Sequence, residues 1–106
     1  SASISSMQEI MMEQIVNLIK SKQCLRIIIQ SNSSNRGMLR CTDKGSLNTL
    51  LGIKYGFEYE SASFGLTYNG KDIKTSEGRD DFYISYDRNP DDAFAELLST
   101  IDDLLS

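Results

Sequence analysis

The chain has 106 residues, with 11 Lys+Arg against 15 Asp+Glu, a formal charge of −4 and 40% hydrophobic content with a single proline. This length makes one domain, its apolar content is too high for a disordered chain, and no apolar run reaches the roughly 18 residues of a membrane span. Histidine and tryptophan are absent, which removes the commonest general base, the commonest neutral metal ligand and every Ser-His or Cys-His catalytic pair.

Residues 1–5 are small and mostly polar and read as a flexible leader or cloning remnant, leaving residues 6–106 as a single domain. No basic-then-apolar export signal precedes them, so a cytoplasmic setting is expected. Ser6 and Glu9 have the spacing of a capping box. Met7, Ile10, Met11, Ile15, Leu18 and Ile19 follow at spacings of three and four, predicting an amphipathic helix over residues 6–22. Residues 24–30 are β-branched and too short for a helix, predicting a strand buried on at least one face. A polar loop returns the chain as a second strand over 37–42, giving an antiparallel hairpin. In residues 46–51, Leu47, Leu50 and Leu51 stand at helical spacing and Gly52 follows, so a short helix is expected there.

Tyr55, Phe57 and Tyr59 alternate with polar residues and glycine, the period of a strand, and Phe64, Leu66 and Tyr68 continue the pattern. Asn69-Gly70 tolerates positive φ at both positions, predicting a type I′ hairpin between residues 63–68 and 71–75. A short strand over 81–86 precedes Asn89-Pro90-Asp91-Asp92, a helix start with Asn as cap, Pro at the first position and acids in the first turn. Phe94, Leu97, Leu98, Ile101, Leu104 and Leu105 then give the terminal amphipathic helix its apolar stripe. The expected class is α+β: an antiparallel sheet of about four to six strands, with an N-terminal and a C-terminal helix packed on one face.

Charge divides the chain. Residues 1–76 carry nine Lys/Arg against six Asp/Glu, or +3, whereas residues 77–106 carry two against nine, or −7. Asp91, Asp92, Glu96 and Asp103 give the last helix an acidic side, and Asp102 and Asp103 lie where the helix dipole disfavours negative charge. Such a surface either keeps the protein soluble or meets a basic partner. Tyr59 and Tyr86, among the tyrosines of the second half, would supply contact area beside it. Lys20, Lys22, Arg26, Arg36 and Arg40 form the opposite feature, a basic region around the first hairpin suited to phosphate contacts.

Cys24 and Cys41 face each other across the hairpin only in a register summing to 65, and in a reducing cytosol two free thiols are expected. Two cysteines without histidine leave a zinc sphere incomplete, and the paired aspartates lack the spacing of a calcium loop, so no metal or cofactor is expected. No nucleophile, base and orienting group converge, and an enzyme is not expected. The sequence points to a small acidic protein-interaction module: an inhibitor, an antagonist encoded by a phage or bacterium, or an immunity-type protein. It would bind a larger, basic or nucleic-acid-handling protein. The alternative is a nucleic-acid-binding domain using the basic region of residues 20–54. The order of elements and the acidic last helix resemble, in layout, the small dimeric chaperones of bacterial type III secretion. That resemblance implies a homodimer and transfers no residue. The same layout occurs in double-stranded RNA-binding domains, from which the acidic last helix departs.

Overall fold

The computed structural model describes residues 3–22, 26–43 and 45–106. Its elements are α1 (Ile4–Lys20), β1 (Arg26–Ser31), β2 (Arg36–Thr42), β3 (Thr49–Phe57), β4 (Ser61–Tyr68), β5 (Lys71–Ile73), β6 (Asp81–Ser85) and α2 (Pro90–Leu104). All pairings are antiparallel, in the order β1-β2-β3-β4, and β5 and β6 share the far edge of β4. The α+β class with six strands and two terminal helices matches the expectation from sequence.

Period two explains the layering. The register lines up apolar rows across the sheet, Ile29–Leu39–Ile53–Leu66–Ile73 and Gly37–Tyr55–Phe64–Phe82, on the face that the helices cover. Met11, Ile15 and Ile19 of α1 and Phe94, Leu97 and Ile101 of α2 close the core from above. Helix α1 packs on α2 and β3, and α2 packs on β6. Phe57 anchors one end, its ring 5.5 Å from Phe64 in an edge-on pair and 5.9 Å from Tyr55. In β2, Gly37 leaves room for Tyr55 to cross it: a Cβ there would lie 2.5 Å from the Tyr55 hydroxyl and 2.6 Å from the Gln30 carbonyl oxygen.

Several local expectations are corrected. The cap of α1 is Ser3, not Ser6: its hydroxyl accepts from the Ser6 N–H at 3.1 Å, and its carbonyl accepts from Met7 N–H. Capping from three residues earlier lets Ile4 join the helix and pack on the core. The short helix over 46–51 is absent. Thr49 opens the nine-residue β3, Leu51 faces the core, and Leu47 is 89% exposed. Pairing on both sides with β2 and β4 overrides the local leucine spacing. Gly52 lies inside that strand, where a Cβ would come 2.6 Å from Thr67 Oγ1. Tyr59 falls in the turn after β3 rather than on the strand.

The Asn69-Gly70 turn forms as expected, with φ of 51° and 79°. At α2, Asn89 does occupy the cap position but adopts a left-handed backbone and makes no side-chain cap bond. Its carbonyl accepts from Ala93 N–H instead. The start of the expected 24–30 strand, including Cys24, lies outside the described residues. What is described of it runs along the sheet border with only Ile27 partly covered, so the strand expected to be buried is mostly exposed. Cys41 is fully buried and disulfide-bonded, not a free thiol. It stands opposite Ile27 in a register summing to 68, so the bond does not use the cross-strand position that a sum of 65 would have made.

Candidate protein-interaction site

The acidic candidates of α2 separate in space. Asp92 and Glu96, one turn apart, line a shallow depression of about 210 Å³ together with Glu77, Arg79, Asp81 and Tyr83. Three elements build it. The loop after β5 folds back through bonds from Thr75 N–H to the Arg79 carbonyl at 2.8 Å and from Arg79 N–H to Thr75 Oγ1 at 3.0 Å. Ser76 then donates to Glu96 Oε1 at 3.1 Å, tying that loop to α2. Asp91 is exposed in the same first helical turn, where acids complement the helix dipole. Arg79 pairs with Glu77 at 2.5 Å, a contact between two exposed side chains that contributes little to stability.

Beside this depression β6 is an open border. Tyr86 N–H bonds to the Glu60 carbonyl, so the alternation of an antiparallel ladder turns the backbone groups of Phe82 and Ile84 toward β4 and those of Asp81 and Tyr83 outward. Tyr83 is 61% exposed. Outward amides thus run along one edge, with the Glu77, Asp92 and Glu96 carboxylates on its helix side and the Asp81 and Tyr83 side chains on its helix-free side.

Asp103 is elsewhere, exposed about 16 Å along the helix from Asp92. Its neighbour Asp102 pairs with Lys22, a cation that offsets the unfavourable negative charge at this helix end. Tyr59 stands 70% exposed in the β3–β4 turn. Tyr86 is half-buried against the core, and among the described residues its hydroxyl is shielded without a hydrogen-bond partner. Burial holds its phenol above the ordinary value of 10.0. The neutral form is therefore favoured in the folded chain, and stability falls only as the pH rises past the ordinary tyrosine range. Because an unpaired buried hydroxyl costs free energy, Tyr86→Phe is expected to raise the unfolding free energy by about 1 kcal/mol. Urea titration checks this, and a destabilised variant would mean that the hydroxyl has a partner.

The basic candidates also divide. Register places Arg26, Arg36 and Arg40 on the helix-free face of the sheet, with Lys54 of β3 beside them. Lys20 ends α1 and Lys22 lies in the turn after it. Arg36 pairs with Glu58, and Arg40 donates to Gln30 Oε1 at 3.0 Å. Farther along this face a depression of about 230 Å³ passes Met38, Lys54 and Thr67 and ends on Asp72, Asp80 and Asp81. Asp80 takes a 2.5 Å bond from Lys74, and that bond holds the Lys74 ammonium above its ordinary pKa.

Sequence reasoning did not choose Glu77, Asp81 and Tyr83 as site residues, and it ended the basic region at Lys54 without placing that side chain. The first three follow from the Asn-Gly hairpin once the returning loop is seen to end at a border strand. Lys54 joins Arg26, Arg36 and Arg40 on one face only through the β2–β3 register, which pairs it with Met38. Among the described residues no group of three or more His, Cys, Asp or Glu is placed to hold a metal ion, and no helix is long and apolar enough to cross a membrane. Compared with protein-family models, curated proteins and solved structures, the chain shows no significant match to any.

Proposed function

We propose that this chain is a protein-interaction module, of the inhibitor, antagonist or immunity type, that docks a basic partner protein against the β6 border and the first turns of α2. The observation that carries the reading is the strand edge with outward backbone groups, flanked by Glu77, Asp92 and Glu96 on its helix side and by Asp81 and the exposed Tyr83 on its helix-free side. Negative charge on such a border accelerates encounter with a basic surface, and the edge amides and Tyr83 give the contact direction.

Reversing Asp81, Asp92 and Glu96 to Lys tests it. All three are exposed or half-exposed, so folding stability is expected to change by only about 0.5 kcal/mol per site. Capture of a stoichiometric protein partner from nuclease-treated lysate at low salt is expected to be lost. Equal capture by both proteins would sink the acidic-border reading. Recovery of nucleic acid in the untreated arm alone would favour a second reading, supported by the shared face of Arg26, Arg36, Arg40 and Lys54, in which that face contacts phosphates.

The disulfide at Cys41 supports an oxidising compartment over the cytoplasmic setting, because disulfides persist in oxidising surroundings and are rare in the cytosol.

A further inference from the structure

The opposite border of the sheet differs from the acidic one. Asn32 N–H bonds to the Arg36 carbonyl at 2.9 Å, which fixes the alternation of the β1–β2 ladder. Arg26, Ile28 and Gln30 bond to β2, while Ile27, Ile29 and Ser31 turn their N–H and C=O groups away from it. Border strands in soluble proteins are usually blunted by lysine, proline, a bulge or an inward charge. β1 has none of these: its only charge is Arg26 at its start, its register with β2 is unbroken, and Ile28 and Ile29 are 41% and 50% exposed.

We infer that β1 pairs antiparallel with β1 of a second copy about a two-fold axis at Ile29, joining two sheets into one. Ile29 is the middle of the three outward residues, so this axis sets it against its own copy and sets Ile27 against Ser31. The N–H and C=O groups of all three residues then find partners. On the helix side the row Ile73–Leu66–Ile53–Leu39–Ile29 continues unbroken into the second copy, covering the half of Ile29 now in water. On the other side Ile28 meets Gln30 of the second copy and Arg26 meets Asn32, so no like charges stand directly opposed. A head-to-tail pairing of β1 on β6 would match basic to acidic. However, β6 turns outward groups at only Asp81, Tyr83 and Ser85, and the Ser85 carbonyl already accepts from Arg88 N–H. Such a contact also grows without closing. The two-fold pair leaves both acidic borders at its far ends, so this interface is independent of the one proposed above.

Light scattering across chain concentration, at low and high salt, tests the pairing. The expected result is a mass twice the 11.9 kDa of one chain, returned to one chain by Ile29→Lys, which places a charge on the pairing edge. Amide exchange in the unsubstituted protein decides the matter even where that variant folds poorly. The amides of Ile27, Ile29 and Ser31 are expected to slow at least about tenfold as the dimer forms. A one-chain mass at every concentration overturns the inference, as does a dimer in which those three amides exchange unchanged or which Ile29→Lys leaves intact. A mass that climbs without limit and collapses in salt overturns it in favour of head-to-tail assembly.

Discussion

Truncating Phe57 to alanine is expected to cost about 4 kcal/mol of unfolding free energy, within the range for deleting a buried phenyl ring. The ring is fully buried and sits between Tyr55 and Phe64, with the edge-on Phe64 contact adding to its burial. Little can move in to close the void. The residue opposite Phe57 across the β3–β4 ladder is Ala62, already small, and Phe57 N–H is fixed by the Asn35 carbonyl at 2.9 Å. Asn35 also donates its side-chain amide to the Phe57 carbonyl at 2.6 Å, so the backbone is held from both sides. A domain of this size has about 5–15 kcal/mol in total, and the variant should be largely unfolded in mild denaturant. Urea titration is expected to show a lower midpoint with an unchanged slope, since the folded and unfolded surfaces barely differ. A loss below about 1 kcal/mol would mean that the ring does not belong to the core.

Helix α2 and the Asn69-Gly70 turn were legible because each is specified locally: the helix by an apolar stripe at a period of 3.6, the turn by two residues that accept positive φ. β3 was not. Leu47, Leu50 and Leu51 have helical spacing, yet Leu47 is in solvent and Leu51 lies under the helices, a division that depends on strands distant in sequence. The three isoleucines of β1 announced a strand but not its place in the sheet. The same composition fits a central strand, and only the strand order makes it a border. The acidic surface was half legible for a related reason. Asp92 and Glu96 share a helix face that the sequence displays, whereas Glu77 joins them, with Asp81 on the other side of the same border, because β6 pairs with β4 across an intervening hairpin. Asp103 obeyed the same helical spacing but lies too far along the axis to take part.

Reducing the disulfide at Cys41 is expected to cost about 3 kcal/mol, for a physical reason opposite to that of Phe57. Cys24 is the only other cysteine in the sequence, and closing a segment of this length restricts the unfolded chain by about that amount. Little contact in the folded core is lost, because Cys41 stays packed opposite Leu51 and Ile27 as a small apolar thiol. The two perturbations therefore separate in one experiment. Phe57→Ala lowers the urea midpoint at constant slope, while reduction lowers it and steepens the slope, because the unconstrained unfolded chain exposes more surface. Cys41→Ala should show the reduced behaviour with or without reductant. Identical unfolding of the original chain in both conditions would remove the disulfide from its stability, and with it the argument for an oxidising compartment. If the expected loss is found, a chain within the ordinary stability range gives up a fifth or more of its total in a reducing environment. Folding, and with it display of the acidic border, is then coupled to the redox state of the surroundings.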